Sequence, residues 1–278
     1  MQLIDNNLKQ DKNIILWINS AKGIGVILII LGHLLYSSNV TFLNQIIYSF
    51  HMPLFFILAG YVQKENVGKE FIVKRIKRLV VPYLAFSVVG LHYFALPIIE
   101  KGGTIHDVFF KTFYVNGFVS NSPLWFLIVM FEISVMISLT KLPQRSLFVQ
   151  LLSFFVLIIF GGIMYKYLHS EVFNCFGFNR MIICFGFYVF GMIIRQMSIE
   201  PPLIPSIIVL TCINVVFGLF LNYEQISIFN YTFGRYLYFV LAAISGSLAI
   251  MAFCKRFLIN GVSLKNYQNM QYCFWAFK

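Results

Sequence analysis

Charge is what this chain has least of. Only 11% of its 278 residues are charged, against roughly 25% in soluble domains. Hydrophobic residues make up 59%, and the mean hydropathy is +0.81. That shortage excludes an ordinary water-soluble domain. Acidic residues are rarer still, with 10 Asp and Glu against 21 Lys and Arg and a net charge of +11. In a soluble chain such an excess points to nucleic acid; here it reads as cations that mark cytoplasmic loops. The five cysteines form no CxxC and no zinc-like spacing. Most lie in or beside apolar runs, where a thiol behaves as a small hydrophobe. The short alternating segments of a β-barrel are missing. No Pro/Ser/Gly-rich linker, low-complexity tract or repeat divides the chain. No cleavable-signal pattern opens it either: the first apolar run is long and no small-residue cleavage site follows. That run is expected to stay as the first span.

Long apolar runs are what the chain does have, several of them near the 20 or so residues that cross a bilayer. Spans are expected at residues 14–36, 42–63, 79–99, 124–140, 147–168, 179–195, 203–222 and 234–253. The fold class is therefore all-α: a polytopic transmembrane helix bundle of about eight spans, one integral membrane domain over residues 1–255. With the N-terminus cytoplasmic, fifteen of the 21 Lys and Arg fall in cytoplasmic segments, five fall on the far side, and Lys22 lies inside the first span. That bias obeys the positive-inside rule. Residues 256–278, ending "FLINGVSLKNYQNMQYCFWAFK", read as a short polar tail or as the end of a truncated or frameshifted frame.

Against this background the ionisable residues within spans stand out, because burying them in hydrocarbon is costly and they are functional candidates by default. Lys22 and His33 are eleven residues apart, close to three helical turns, which puts them on nearly the same face about 16 Å apart. Gly23, Gly25 and Gly32 keep that helix slim, so that a neighbour or ligand approaches closely. The plainer alternatives are a snorkelling lysine, helped by an interfacial helix over residues 9–20, and a histidine satisfied by a neighbouring helix. His51 enters the second span just before Pro53, whose ring disrupts the bond to the Ser49 carbonyl; it either lines a cavity or sits at the interface.

In "KEFIVKRIKRLVVPY", Lys74, Lys77 and Arg78 share a face by helical spacing. They suit either anionic lipid or a phosphate-bearing cytoplasmic ligand, and Arg75 lies among them. Pro82 loosens the bond to the Arg78 carbonyl. Trp125 reads as an aromatic-belt residue at the external interface, and Glu132 as a mid-span carboxylate that is paired or protonated.

Four stretches, "WINSAKGIGVILIILGH", "IYSFHMPLFFILAGY", "FIVKRIKRLVVPYLAF" and "LWFL", resemble in order and spacing the family 3 membrane acyltransferases. The lysine before "GIG" looks most like the fucose 4-O-acetylase-like O-acetyltransferase branch. The resemblance implies a ten-span fold in the bacterial cytoplasmic (inner) membrane, and transfer of an acyl group from acetyl-CoA to a hydroxyl of a surface glycan or lipid-linked sugar. The family's essential first-span histidine corresponds to His33. The basic residue eleven positions before it corresponds to Lys22, and the arginines before the third-span proline to Arg75 and Arg78. The family often has aspartate where this chain has Asn19, and it usually continues past residue 255 with another pair of spans.

On this expectation His33 is the catalytic base or acyl carrier. Lys22, His51, Lys74, Arg75, Arg78, Trp125 and Glu132 bind donor or acceptor, no cofactor is resident, and the partners are acetyl-CoA, a glycan acceptor and membrane lipid. The competing classes are a sugar transporter or flippase, which also uses kinked helices and buried ionisable groups, and an inactive truncated acyltransferase.

Overall fold

The computed structural model describes residues 2–37, 41–110, 124–167, 177–197, 204–222 and 224–258. Among them it is all-helical. Ten helices run in chain order: α1 (Gln2–Ser37), α2 (Thr41–Tyr61), α3 (Lys69–Arg75), α4 (Val81–Glu100), α5 (Ile105–Phe110), α6 (Trp125–Thr140), α7 (Leu147–Tyr167), α8 (Phe178–Gln196), α9 (Ile204–Val215) and α10 (Tyr236–Phe253). Five are long and apolar enough to cross a membrane, over Leu16–Leu35, Phe42–Tyr61, Leu147–Tyr167, Phe178–Gln196 and Tyr236–Phe257. Two further apolar helices are shorter, Trp125–Thr140 and Ile204–Phe220. A helix, α4, also occupies the expected span at 79–99. The chain is a multi-pass membrane protein. The tail expected at 256–278 lies almost wholly outside the described residues.

Two features differ from the sequence reading. The first helix is continuous from Gln2 to Ser37, so no break separates an interfacial segment at 9–20 from a span starting near Ala21. The reason is local: no proline or turn-forming pair interrupts the run. The second is a π turn at Ile76–Val80, closed by the Val81 N–H on the Ile76 carbonyl. Pro82, in the first turn of α4, has no N–H for the Arg78 carbonyl, and the backbone adjusts by taking one extra residue into the turn. The cations before and inside that turn therefore do not keep the α-helical spacing expected of Lys74, Lys77 and Arg78.

The chain forms two compact units, one made of residues 1–55, 199–223 and 238–278 and the other of 56–198 and 224–237. In the first, Asn214 of α9 ties three helices together: its buried side-chain N–H groups donate to Ser49 Oγ on α2 at 2.9 Å and to the Ala242 carbonyl on α10 at 2.8 Å. One amide thus links a buried hydroxyl and a buried carbonyl on two other helices, which fixes the helix register. Gln45 adds a bond to the Asn222 carbonyl at 3.0 Å.

In the second unit α8 is the central element, buried along nearly its whole length and packed against α6 and α7. The end of α2 crosses α8 at backbone contact distance. A Cβ on Gly60 would lie 1.8 Å from the Tyr188 carbonyl oxygen, and one on Gly191 2.0 Å from that of Ile57. Only glycine at both positions allows the crossing. An aromatic group of half-buried Tyr165 with buried Tyr231 and Phe233 packs with ring centroids 5.1–5.8 Å apart. Burial pushes the Tyr231 phenol well above its ordinary pKa.

Candidate active site

The candidate residues divide between the two units: Lys22, His33 and His51 in the first, Lys74, Arg75, Arg78, Trp125 and Glu132 in the second.

His33 stands on α1 with its side chain exposed. Its ring meets Tyr48 of α2 edge to face, centroids 6.3 Å apart. The approach depends on the preceding residue: a Cβ on Gly32 would come within 3.0 Å of Tyr48 Cε2. On its other side Tyr48 meets His51, again edge to face, at 4.9 Å. One phenol ring thus lies between the two histidines. His51 is buried, with Nδ1 2.8 Å from the Ile47 carbonyl. A carbonyl only accepts, so Nδ1 carries the proton and Nε2 keeps its lone pair. The polar atom of His51 is thereby anchored to its own helix, and its ring braces Tyr48. Lys22 is exposed on α1, eleven residues before His33 on an unbroken helix, so the separation of about 16 Å holds.

The basic segment is resolved into unlike parts. Lys74, Lys77 and Arg78 are exposed, and among the described residues they make no hydrogen bond or ion pair. Arg75, half-buried, is held twice. Its guanidinium lies over the Phe71 ring, 4.9 Å from the centroid, and donates to Gln63 Oε1 at 3.5 Å.

Trp125, read from sequence as an interfacial belt residue, is instead buried at the start of α6, its ring centroid 6.3 Å from that of Phe56 and 6.4 Å from that of Phe126. Glu132 lies two turns further along α6. Arg180, counted from sequence as an external loop charge, is instead in the first turn of α8 and only 4% exposed. Its guanidinium lies over the Phe229 ring at 5.2 Å.

Sequence reading missed Tyr48, Gln63, Arg180 and Asn214. Tyr48 and Gln63 flank the recognised "SFHMPLFF" stretch and carry no charge to flag them. Arg180 gave a signal, since an arginine within three residues of a long apolar run deserves the question put to Lys22. Asn214, a lone amide inside "IIVLTCINVVF", was legible as an interhelical hydrogen-bonding residue.

No curated protein and no solved structure matches the chain. A family model described as an acyltransferase domain matches residues 15–274, a stretch that holds every candidate residue above. With that match over nearly the whole length, the chain belongs to the family 3 acyltransferases.

Proposed function

We propose that the chain is an O-acetyltransferase of the bacterial cytoplasmic membrane, within the fucose 4-O-acetylase-like branch. It moves an acetyl group from cytoplasmic acetyl-CoA to a hydroxyl of a surface polysaccharide or its lipid-linked precursor. About eight spans and a cytoplasmic N-terminus complete the reading, on the strength of the charge bias in the loops. The observation that carries it is His33: an exposed imidazole in an apolar helix, reached past a glycine and steadied by Tyr48, which His51 braces in turn.

As general base, His33 takes the proton of the sugar hydroxyl as that oxygen attacks the thioester carbonyl. The tetrahedral adduct then collapses, the C–S bond breaks, and the proton passes to the departing thiolate. The same imidazole suits a two-step path, attacking the thioester itself and handing the acetyl group to the sugar. Lys22 supplies a positive charge on the same helix. Lys74, Arg75 and Arg78 answer the anionic phosphates of the donor, Arg75 and Arg78 with planar forks suited to phosphate. Trp125 is a packing residue in this reading.

The test is acetylation of surface polysaccharide, read by NMR, in cells producing the chain or its His33→Ala variant at equal membrane levels. Acetyl signals are expected with the first and absent with the second. Equal signals from both would overturn His33 as the centre of the chemistry.

A further inference from the structure

The polar side chain of Gln63, just past the end of α2, is buried and makes three hydrogen bonds. Its Oε1 accepts the Tyr188 hydroxyl at 2.6 Å and the Arg75 guanidinium at 3.5 Å, which uses both lone pairs. Its Nε2 donates to the Lys64 carbonyl at 2.6 Å. Its backbone is held as well: Arg195 donates to the carbonyls of Tyr61 and Gln63 at 3.1 and 3.4 Å. The loop that follows is pinned by Ser138 on the Val67 carbonyl and Gln144 on the Glu65 carbonyl, at 2.7 and 3.0 Å. A flexible arginine is thereby tied to a rigid point. One of its five N–H groups is engaged by Gln63 and its face covers Phe71. The other four make no hydrogen bond among the described residues.

We infer that Gln63, itself held by Tyr188, is a positioning residue that presents the Arg75 guanidinium to the anionic end of the acyl donor. The inference rests on the donor-binding role given to Arg75 above. It separates Arg75 from its neighbours. Lys74, Lys77 and Arg78 are exposed charges that attract an anion, whereas Arg75 is a pre-oriented fork, so less conformational freedom is lost when it binds.

The experiment is equilibrium binding of radiolabelled acetyl-CoA to the full chain in lipid nanodiscs, for the wild type, Arg75→Ala, Gln63→Leu and the Arg75→Ala/Gln63→Leu double variant. Gln63→Leu is expected to weaken binding about fivefold, the loss typical of one ordinary hydrogen bond. Arg75→Ala is expected to weaken it more, and Gln63→Leu is expected to add nothing in the Arg75→Ala background, because Gln63 acts only through that guanidinium. A residue that merely supported the fold would weaken binding in both backgrounds. Should Gln63→Leu fail to insert, Gln63→Asn withdraws the acceptor by one methylene and gives the same comparison. If Arg75→Ala binds as the wild type does, the donor-binding role of Arg75 is wrong, and the inference goes with it. If Arg75→Ala weakens binding while the Gln63 variants do not, or if the effects add, the positioning role alone is overturned.

Discussion

Gly60→Ala tests the most constrained contact in the second unit. The added methyl carbon would sit 1.8 Å from the Tyr188 carbonyl oxygen, 2.8 Å from its carbon and 3.2 Å from its Cα. Carbon and oxygen in ordinary contact stand roughly 3.2 Å or more apart, so α2 and α8 must separate by about 1.4 Å. No rotamer change relieves this, since the blocking atoms are helix backbone. Separation also loosens the Tyr188–Gln63 bond and the Gly191 contact with Ile57. Overpacking ordinarily costs about 1–3 kcal/mol. A backbone collision belongs at the upper end, less the helix-propensity gain of up to about 1 kcal/mol for replacing glycine with alanine. A net loss of about 2 kcal/mol is expected.

Buried Cys184 on α8 provides the assay, because its thiol becomes reactive to a fluorogenic maleimide only when α8 is exposed. Unfolding of purified protein in detergent would be followed by that labelling, with the other four cysteines, Cys175, Cys212, Cys254 and Cys273, replaced by serine. Gly23→Ala is the control: among the described residues no atom lies within 4 Å of its would-be Cβ, so its stability should equal or exceed the wild type's. The Gly60→Ala/Gly191→Ala double variant should lose less than the sum of the single losses, since one separation of the helices relieves both collisions. Gly60→Ala within about 0.5 kcal/mol of the wild type, the range of an ordinary surface change, would refute the reasoning.

Asn214→Leu removes both donors that satisfy Ser49 Oγ and the Ala242 carbonyl, and should destabilise the protein by about 2–3 kcal/mol in the same unfolding assay. Glu132→Gln should destabilise the protein in the same assay if its carboxylate is coupled to the buried Arg180. Adding Arg180→Met should restore much of that loss, and simple additivity in the double variant would show that the two charges are not coupled. If the N-terminus is cytoplasmic, Lys77→Cys, exposed in the π turn, in a chain with its five native cysteines replaced by serine, should react with a membrane-impermeant maleimide in inside-out vesicles and not in intact cells. Labelling in intact cells would reverse the orientation.

Helix positions were readable in advance because they depend on local sums. A window of apolar residues long enough to cross a bilayer must close its backbone hydrogen bonds within itself, whatever its neighbours do, and a helix occupies each expected span among the described residues. The family motifs were readable for the same reason, since each is a short contiguous stretch. Pro82 announced a backbone irregularity before Val81, though not that it would take the form of a π turn.

The site's supports were not readable in this way, because each is a meeting of residues distant in the chain. Gln63 and Tyr188 are 125 positions apart, and Asn214 and Ser49 are 165 apart. Which faces of two apolar helices meet is decided by where glycine permits close approach and where a buried amide finds its acceptors, not by the hydropathy of either helix alone. The sequence by itself determined a helical membrane protein with an acyltransferase's motifs. Tertiary packing decided that Arg75 is held, that Trp125 and Arg180 turn inward, and that Tyr48 stands between the two histidines, because only packing brings those side chains within contact distance.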